Sequence, residues 1–208
     1  MTDYSSIILI GGAPCAGKST VAKSLAKQLG CQWVSTDNLR EEFRGRSRHP
    51  PYRYPWLHAT IHTTAEKWWA DKSAADLLQV EIGQAKEMWP MIRHTIRTSQ
   101  AGIFEGLSLL PELIHQAFGS SIRAVYLIDN DLARIRKTIF MRGLWDEAKT
   151  YADWVKEKEI NSVSYMNDWI KSESRKYALP LVNVGDQSTL TQRVALALGI
   201  HNQPTYHL

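Results

Sequence analysis

Gly12-Ala13-Pro14-Cys15-Ala16-Gly17-Lys18-Ser19 fits the pattern G-x-x-x-x-G-K-[ST], and that spacing calls for a particular chemistry. Glycines permit backbone conformations that other residues resist. Consecutive N–H groups can then turn inward and surround a polyphosphate. Lys18 supplies a point charge for the outer phosphates, and Ser19 supplies a hydroxyl for Mg²⁺. Gly12, Ala13, Pro14, Cys15, Ala16, Gly17, Lys18, Ser19 and Thr20 are therefore the candidate phosphate-binding residues, with Ser19 the candidate metal ligand.

The elements around this segment suit it. Ile7-Ile8-Leu9-Ile10 is a short apolar run of the kind a buried parallel strand requires. Residues 20–29 read as a helix, with Val21, Leu25 and Leu29 at helical spacing and Gly30 as its stop. A helix N-terminus after the glycines adds a dipole that favours anions. Four more strands are expected at residues 32–36, 102–106, 122–128 and 180–184. Helices are expected from residue 38 through 43, in segments over 56–99, and at 111–118, 132–141, 146–177 and 190–198. Residues 45–55, with three prolines, read as a loop, and Pro90 is expected to kink or divide its helix. Strands alternating with helices imply an α/β fold whose parallel sheet is covered on both faces. Ligands in such sheets bind at the carboxyl ends of the strands.

That rule selects the remaining candidates. Asp37 follows the second strand, where a carboxylate can orient an acceptor hydroxyl or take its proton; its plain alternative is a helix N-cap. Arg40 and Arg44 follow at helical spacing and offer forks for an acidic acceptor, whereas Arg46, Arg48 and Arg53 read better as a solvated basic face. Glu105 ends the third strand, placed for Mg²⁺ or for the acceptor. Asp129 reads as a helix entrance. Arg142, beside Gly143, is the candidate to close over the phosphates, while Arg134 and Arg136 are candidates for the nucleotide, as is Gly185 after the last strand. His58 and His62 share a helical face without an accompanying metal motif.

Bulk composition narrows the class. The chain has 208 residues, 44% hydrophobic and 22% charged, which excludes a disordered chain and fits one domain. A net charge of +4 suits an anionic ligand and is too small to argue for nucleic acid. Two cysteines, one inside the glycine segment, give neither a disulfide framework nor zinc spacing. No stretch approaches membrane-spanning length, and the start lacks a basic leader, so a cytoplasmic location is the expectation.

Three pieces together resemble the P-loop kinases of small molecules: residues 11–20, then Ser35-Thr36-Asp37-Asn38-Leu39-Arg40-Glu41, then Ile103-Phe104-Glu105-Gly106-Leu107-Ser108-Leu109-Leu110-Pro111. The nearest likeness is to 2-phosphoglycerate kinase-like proteins, with the zeta-toxin and shikimate or gluconate kinase groups more distant. The resemblance implies a three-layer α/β/α P-loop NTPase fold with a five-stranded parallel sheet of order 2-3-1-4-5. It also implies ATP and Mg²⁺ as donor and an aspartate at Asp37 near the acceptor hydroxyl. The expected organisation is a single domain over 1–208, with a helical acceptor-side insertion at 45–100 and an arginine-bearing lid at 132–150. The expected activity is phosphoryl transfer from ATP to a hydroxyl of a small, anionic metabolite. Lys18, Asp37 and Arg142 are its catalytic candidates, and Asp37, Arg40, Arg44 and Glu105 its acceptor-binding candidates. A slow-hydrolysing nucleotide-dependent regulator, or a kinase of nucleotide sugars or nucleic-acid ends, is the competing expectation. A homodimer is left open.

Overall fold

Strand β1 (Tyr4–Gly12) lies at the centre of a five-stranded sheet in the order β2-β3-β1-β4-β5, where β2 is Trp33–Ser35, β3 Gly102–Glu105, β4 Ile122–Ile128 and β5 Leu181–Asn183. Every neighbouring pair is parallel. The computed structural model describes residues 4–45, 50–61, 63–142 and 151–200. Strand order and layering are those that the resemblance implied.

The alternation of β1 explains why both faces must be covered. Ile7 and Leu9 pack into a cluster with Met88, Ile92, Ile96, Leu113 and Ile114, from helices α4 (Ala74–Thr98) and α5 (Pro111–Phe118). Ile8 and Ile10 pack the other way, against Val21, Ala22 and Leu25 of α1 (Lys18–Leu29) and Leu190 and Val194 of α8 (Leu190–Ala197). All four aliphatics are essentially inaccessible, and each contributes about 1.5–3 kcal/mol by leaving water. Both cysteines are free thiols. No helix among the described residues is long and apolar enough to cross a membrane.

Register sets the working edge of the sheet. Ile10 pairs with Glu105, and Glu105 with Ser35, so β3 and β2 end level while β1 runs two residues further, to Gly12. From that edge rise the glycine segment, Glu105 and helix α2 (Thr36–Arg44). Two small helices of the sequence reading become longer or start earlier. Helix α1 begins at Lys18 rather than at residue 20, and α2 at Thr36 rather than at residue 38.

Between α2 and β3 lie the short helix α3 (Ala65–Ala70) and α4. Pro90 does not divide α4, which runs through it as one helix. An interior proline costs about 3 kcal/mol. Met88, Trp89, Ile92 and Ile96 are buried on either side of it, and at about 1.5–3 kcal/mol each their burial outweighs that cost. Helices α6 (Leu132–Arg142) and α7 (Asp153–Lys176) pack together beyond β4. Gly143 and the rest of the expected lid to residue 150 lie outside the described residues, as do Arg46, Arg48 and His62.

Candidate active site

The glycine segment folds as a turn that leaves a helix end open. Gly12 has φ 136°, and a Cβ there would sit 2.2 Å from the Leu127 carbonyl oxygen, so only glycine fits against β4. Gly17, at φ 78°, is the N-cap of α1 and supplies no side-chain cap; the first turn of α1 also contains no acid. The N–H groups of that turn are thus left for an external acceptor, and the helix dipole favours an anion. Cys15 also holds a positive φ, 65°, an uncommon conformation for a residue with a side chain.

Lys18 and Ser19 are the first two residues of α1. Lys18 Nζ donates to the Ala13 carbonyl at 2.7 Å, bridging the turn it follows. Burial draws the Lys18 ammonium below the ordinary lysine range, opposed by the nearby Glu105 and Asp37 carboxylates. Ser19 Oγ donates to Glu105 Oε1 at 3.0 Å. Glu105 is 1% exposed. A hydroxyl and a buried carboxylate are hard oxygen donors, and Mg²⁺ takes few protein ligands alongside phosphates and water. Ser19 and Glu105 therefore fit that ion.

Asp37 occupies the first turn of α2, not the end of a strand. The N-cap role belongs to Ser35, whose hydroxyl accepts from the Asp37 N–H at 3.3 Å. The Asp37 carboxylate is thereby left for other work and is 56% exposed. Gly106 explains how closely β3 and α2 approach: its φ is 145°, and a Cβ there would lie 1.8 Å from Thr36 Oγ1. Asp37, Glu105, Lys18, Ser19 and Arg142 all line one cleft of about 760 Å³. Arg142 Nη2 lies 3.8 Å from Cys15 Sγ. Burial pushes the Cys15 thiol up, with Arg142 and Lys18 acting in the opposite direction.

Comparison with known proteins places this geometry. A family model described as "AAA domain" matches residues 7–80. Shikimate kinase from Acinetobacter baumannii superposes with a TM-score of 0.56, at 16% identity over 95% of this chain and 94% of that one. Gluconokinase from Sinorhizobium meliloti 1021 gives a TM-score of 0.52, at 14% identity over 94% and 93%. The fold is that of the P-loop kinases. Among curated sequences, the 2-phosphoglycerate kinase of Methanococcus vannielii is 27% identical over 204 residues, 90% of this chain and 62% of that protein. That of Pyrococcus furiosus is 25% identical over 204 residues, 89% and 61%. The chain thus spans about three-fifths of the length of these relatives.

Not every expected residue of this P-loop kinase fold reaches the cleft. Arg40 does, with Nη1 3.5 Å from Asp37 Oδ1 and donating to Gln84 Oε1 at 3.3 Å, and with Nε donating to Glu41 at 3.1 Å. Arg44 is spent on structure: Nε donates to the Leu57 carbonyl at 2.6 Å, Nη1 to Glu41 at 2.8 Å and Nη2 to Thr60 at 2.8 Å. Arg134 clamps the buried Asp129 through two hydrogen bonds, 2.7 and 2.6 Å, and donates to the Gly185 carbonyl at 3.0 Å. That pairing ties the ends of β4 and β5 and accounts for Asp129 as a structural acid. Arg136 donates to Glu157 at 2.6 Å and lies over the Phe140 ring. Arg44, Arg134, Arg136 and Gly185 do not line the cleft, whereas Gln187 does.

Several lining residues carried no sequence signal. Trp68 and Trp69 come from α3, Leu77, Val80, Glu81 and Gln84 from α4, Thr138 from α6 and Ser162 from α7. Lys158 of α7 donates to the Trp69 and Ala70 carbonyls at 2.8 and 2.7 Å, capping the end of α3 and fixing the tryptophans. Burial raises the Glu81 carboxyl above its ordinary range; Arg40 opposes this and Asp37 adds to it.

Proposed function

We propose that the chain is an ATP-dependent kinase that transfers the terminal phosphoryl group to a hydroxyl of a small metabolite. The observation that carries this reading is one continuous cleft with the open phosphate-binding turn at its inner end and Asp37, Arg40 and the α3–α4 wall at its outer end. A hydrolase needs room only for water, whereas about 760 Å³ holds a triphosphate tail and a second small molecule. The likeness to proteins named as kinases of 2-phosphoglycerate, shikimate and gluconate supports the same reaction class.

In this reading the N–H groups at the start of α1 hold the phosphates, and Lys18 moves from the Ala13 carbonyl onto them. Mg²⁺, when bound, neutralises charge on the phosphate oxygens; Ser19 and Glu105 would hold it. Asp37 orients the acceptor hydroxyl and takes its proton at a carboxylate oxygen. Arg142, beside the turn, offsets the charge that spreads over the phosphoryl oxygens during transfer. The proposed organisation follows: residues 45–100 form the acceptor wall and 132–150 the arginine-bearing side, in a protein working in the cytoplasm on a small molecule.

The test is ADP formation from Mg-ATP across a metabolite panel that includes 2-phosphoglycerate, shikimate and gluconate, with the product identified by mass. The reading requires at least one acceptor to accelerate ADP release and emerge as a phosphomonoester. ATP turnover that no acceptor changes would contradict it and favour a slow-hydrolysing regulator.

A further inference from the structure

The outer half of the cleft is less basic than the arginines of α2 imply. Arg40 is already shared among Asp37, Glu41 and Gln84. Arg44 is tied to Glu41, Thr60 and the Leu57 carbonyl. Facing Arg40, two turns into α4, Glu81 lines the same cleft. Among the described residues its carboxylate receives no hydrogen bond; Arg40, Arg44 and Lys18 act on it only at range. A half-buried carboxylate that faces a cleft without a protein donor is open to a ligand that supplies one.

The surroundings of Glu81 are built rather than loose. One turn further along α4, Gln84 accepts from Arg40 and donates to the Trp56 carbonyl at 3.3 Å. At Gly83 a Cβ would lie 2.6 Å from the Trp56 ring, so α4 and that segment are in close contact. On the other side, Trp68, Leu77 and Val80 form an apolar wall continuous with their own small core. The described lining of this half therefore offers two carboxylates, one engaged guanidinium and a flat apolar surface.

We propose that the acceptor is a non-acidic polyol, neutral or amine-bearing, whose hydroxyl or ammonium hydrogens dock on Glu81 while its carbon skeleton lies against Trp68 and Val80. This rests on the kinase reading and deepens it by naming the acceptor class. An acidic acceptor would have to lie among the Asp37 and Glu81 carboxyls, which disfavour a further negative charge in the same cleft. A neutral or cationic polyol leaves Arg40 where it is and supplies the hydrogens that Glu81 lacks. Glu81 is then a specificity-determining residue, separate from the phosphate-binding turn.

The experiment compares two acceptor sets under saturating Mg-ATP: sugar alcohols and amino sugars against 2-phosphoglycerate and gluconate. Both the parent and Glu81→Gln are assayed, each checked for an unchanged thermal midpoint, with Mg-ATP binding followed by calorimetry. The expected result is a kcat/KM at least about tenfold higher for a member of the first set. Glu81→Gln should raise the KM of that acceptor about 10- to 100-fold and change kcat far less. Mg-ATP affinity should stay the same, and Glu81→Asp should restore part of the loss. Preference for the acids, turnover of no member of the first set, or an acceptor KM indifferent to Glu81→Gln would overturn the proposal. Failure of the parent to bind Mg-ATP at all would instead sink the kinase reading beneath it, so the calorimetry separates the two failures.

Discussion

Ser19 Oγ and Glu105 Oε1 meet at 3.0 Å although the two residues stand 86 positions apart in the chain. The first is the second residue of α1, and the second closes β3, the strand beside β1. Packing of α1 against β3 brings them together, and their contact ties the glycine turn to the neighbouring strand. Removing the charge should therefore be felt through the metal. Glu105→Gln is expected to raise the Mg²⁺ concentration for half-maximal ATP binding about tenfold, with metal-free ATP binding little changed. Titration of ATP at graded Mg²⁺ measures this, and an unshifted Mg²⁺ midpoint would remove Glu105 from the metal site.

Asp37 is released for chemistry because Ser35 takes the cap of α2. Asp37→Asn keeps the shape and the helix start and removes the proposed base. Phosphoryl transfer should fall about 10²- to 10⁴-fold, with ATP affinity preserved. Single-turnover transfer alongside equilibrium ATP binding separates these effects; transfer at the parental rate would contradict the role.

Gly106 sits where β3 passes Thr36, with no room for a Cβ. Gly106→Ala forces both a strained φ and a clash with a buried hydroxyl, so it should destabilise the fold by on the order of 2–5 kcal/mol. Because Thr36 precedes Asp37, the surviving folded fraction should also transfer phosphate poorly. Chemical denaturation tests the first effect, and a stability equal to the parent's would contradict the tight approach of β3 and α2.

Lys18 is held below the ordinary lysine pKa of 10.5 chiefly by burial. A lysine with a depressed pKa loses its charge at lower pH than an exposed one, and a polyphosphate binds the charged form. Affinity for ATP should therefore begin to decline with rising pH before pH 10.5 is reached. Over the range in which it declines, binding should take up a proton. Calorimetry in buffers of different ionisation enthalpy detects the uptake, and an affinity flat to pH 10.5 would contradict the assignment.

Much of the fold was legible because its signals are local. The apolar runs of β1 and β4, the glycine segment and the helix stops each lie within a few residues of one another. The proposed acceptor wall was not. Glu81, Gln84 and Trp69 look like ordinary positions on amphipathic helices, and only the packing of α4 against α2 and of α3 against α7 brings them to the cleft that Asp37 lines. The arginines misled for the same reason. Arg44 and Arg134 carry the right charge at sensible spacing, yet Leu57 and Thr60, which bind Arg44, become its neighbours only in the folded chain, and Asp129, five residues before Arg134, takes that guanidinium at the entrance of α6. The continuous helix through Pro90 reflects buried area that no proline rule counts.

The account stands most directly on titration of Mg-ATP into the parent protein and into Lys18→Ala. It predicts saturable one-to-one binding to the parent and an affinity at least about tenfold weaker in the variant, at equal thermal stability. Absence of binding to the parent, or equal affinity in the two proteins, would contradict it.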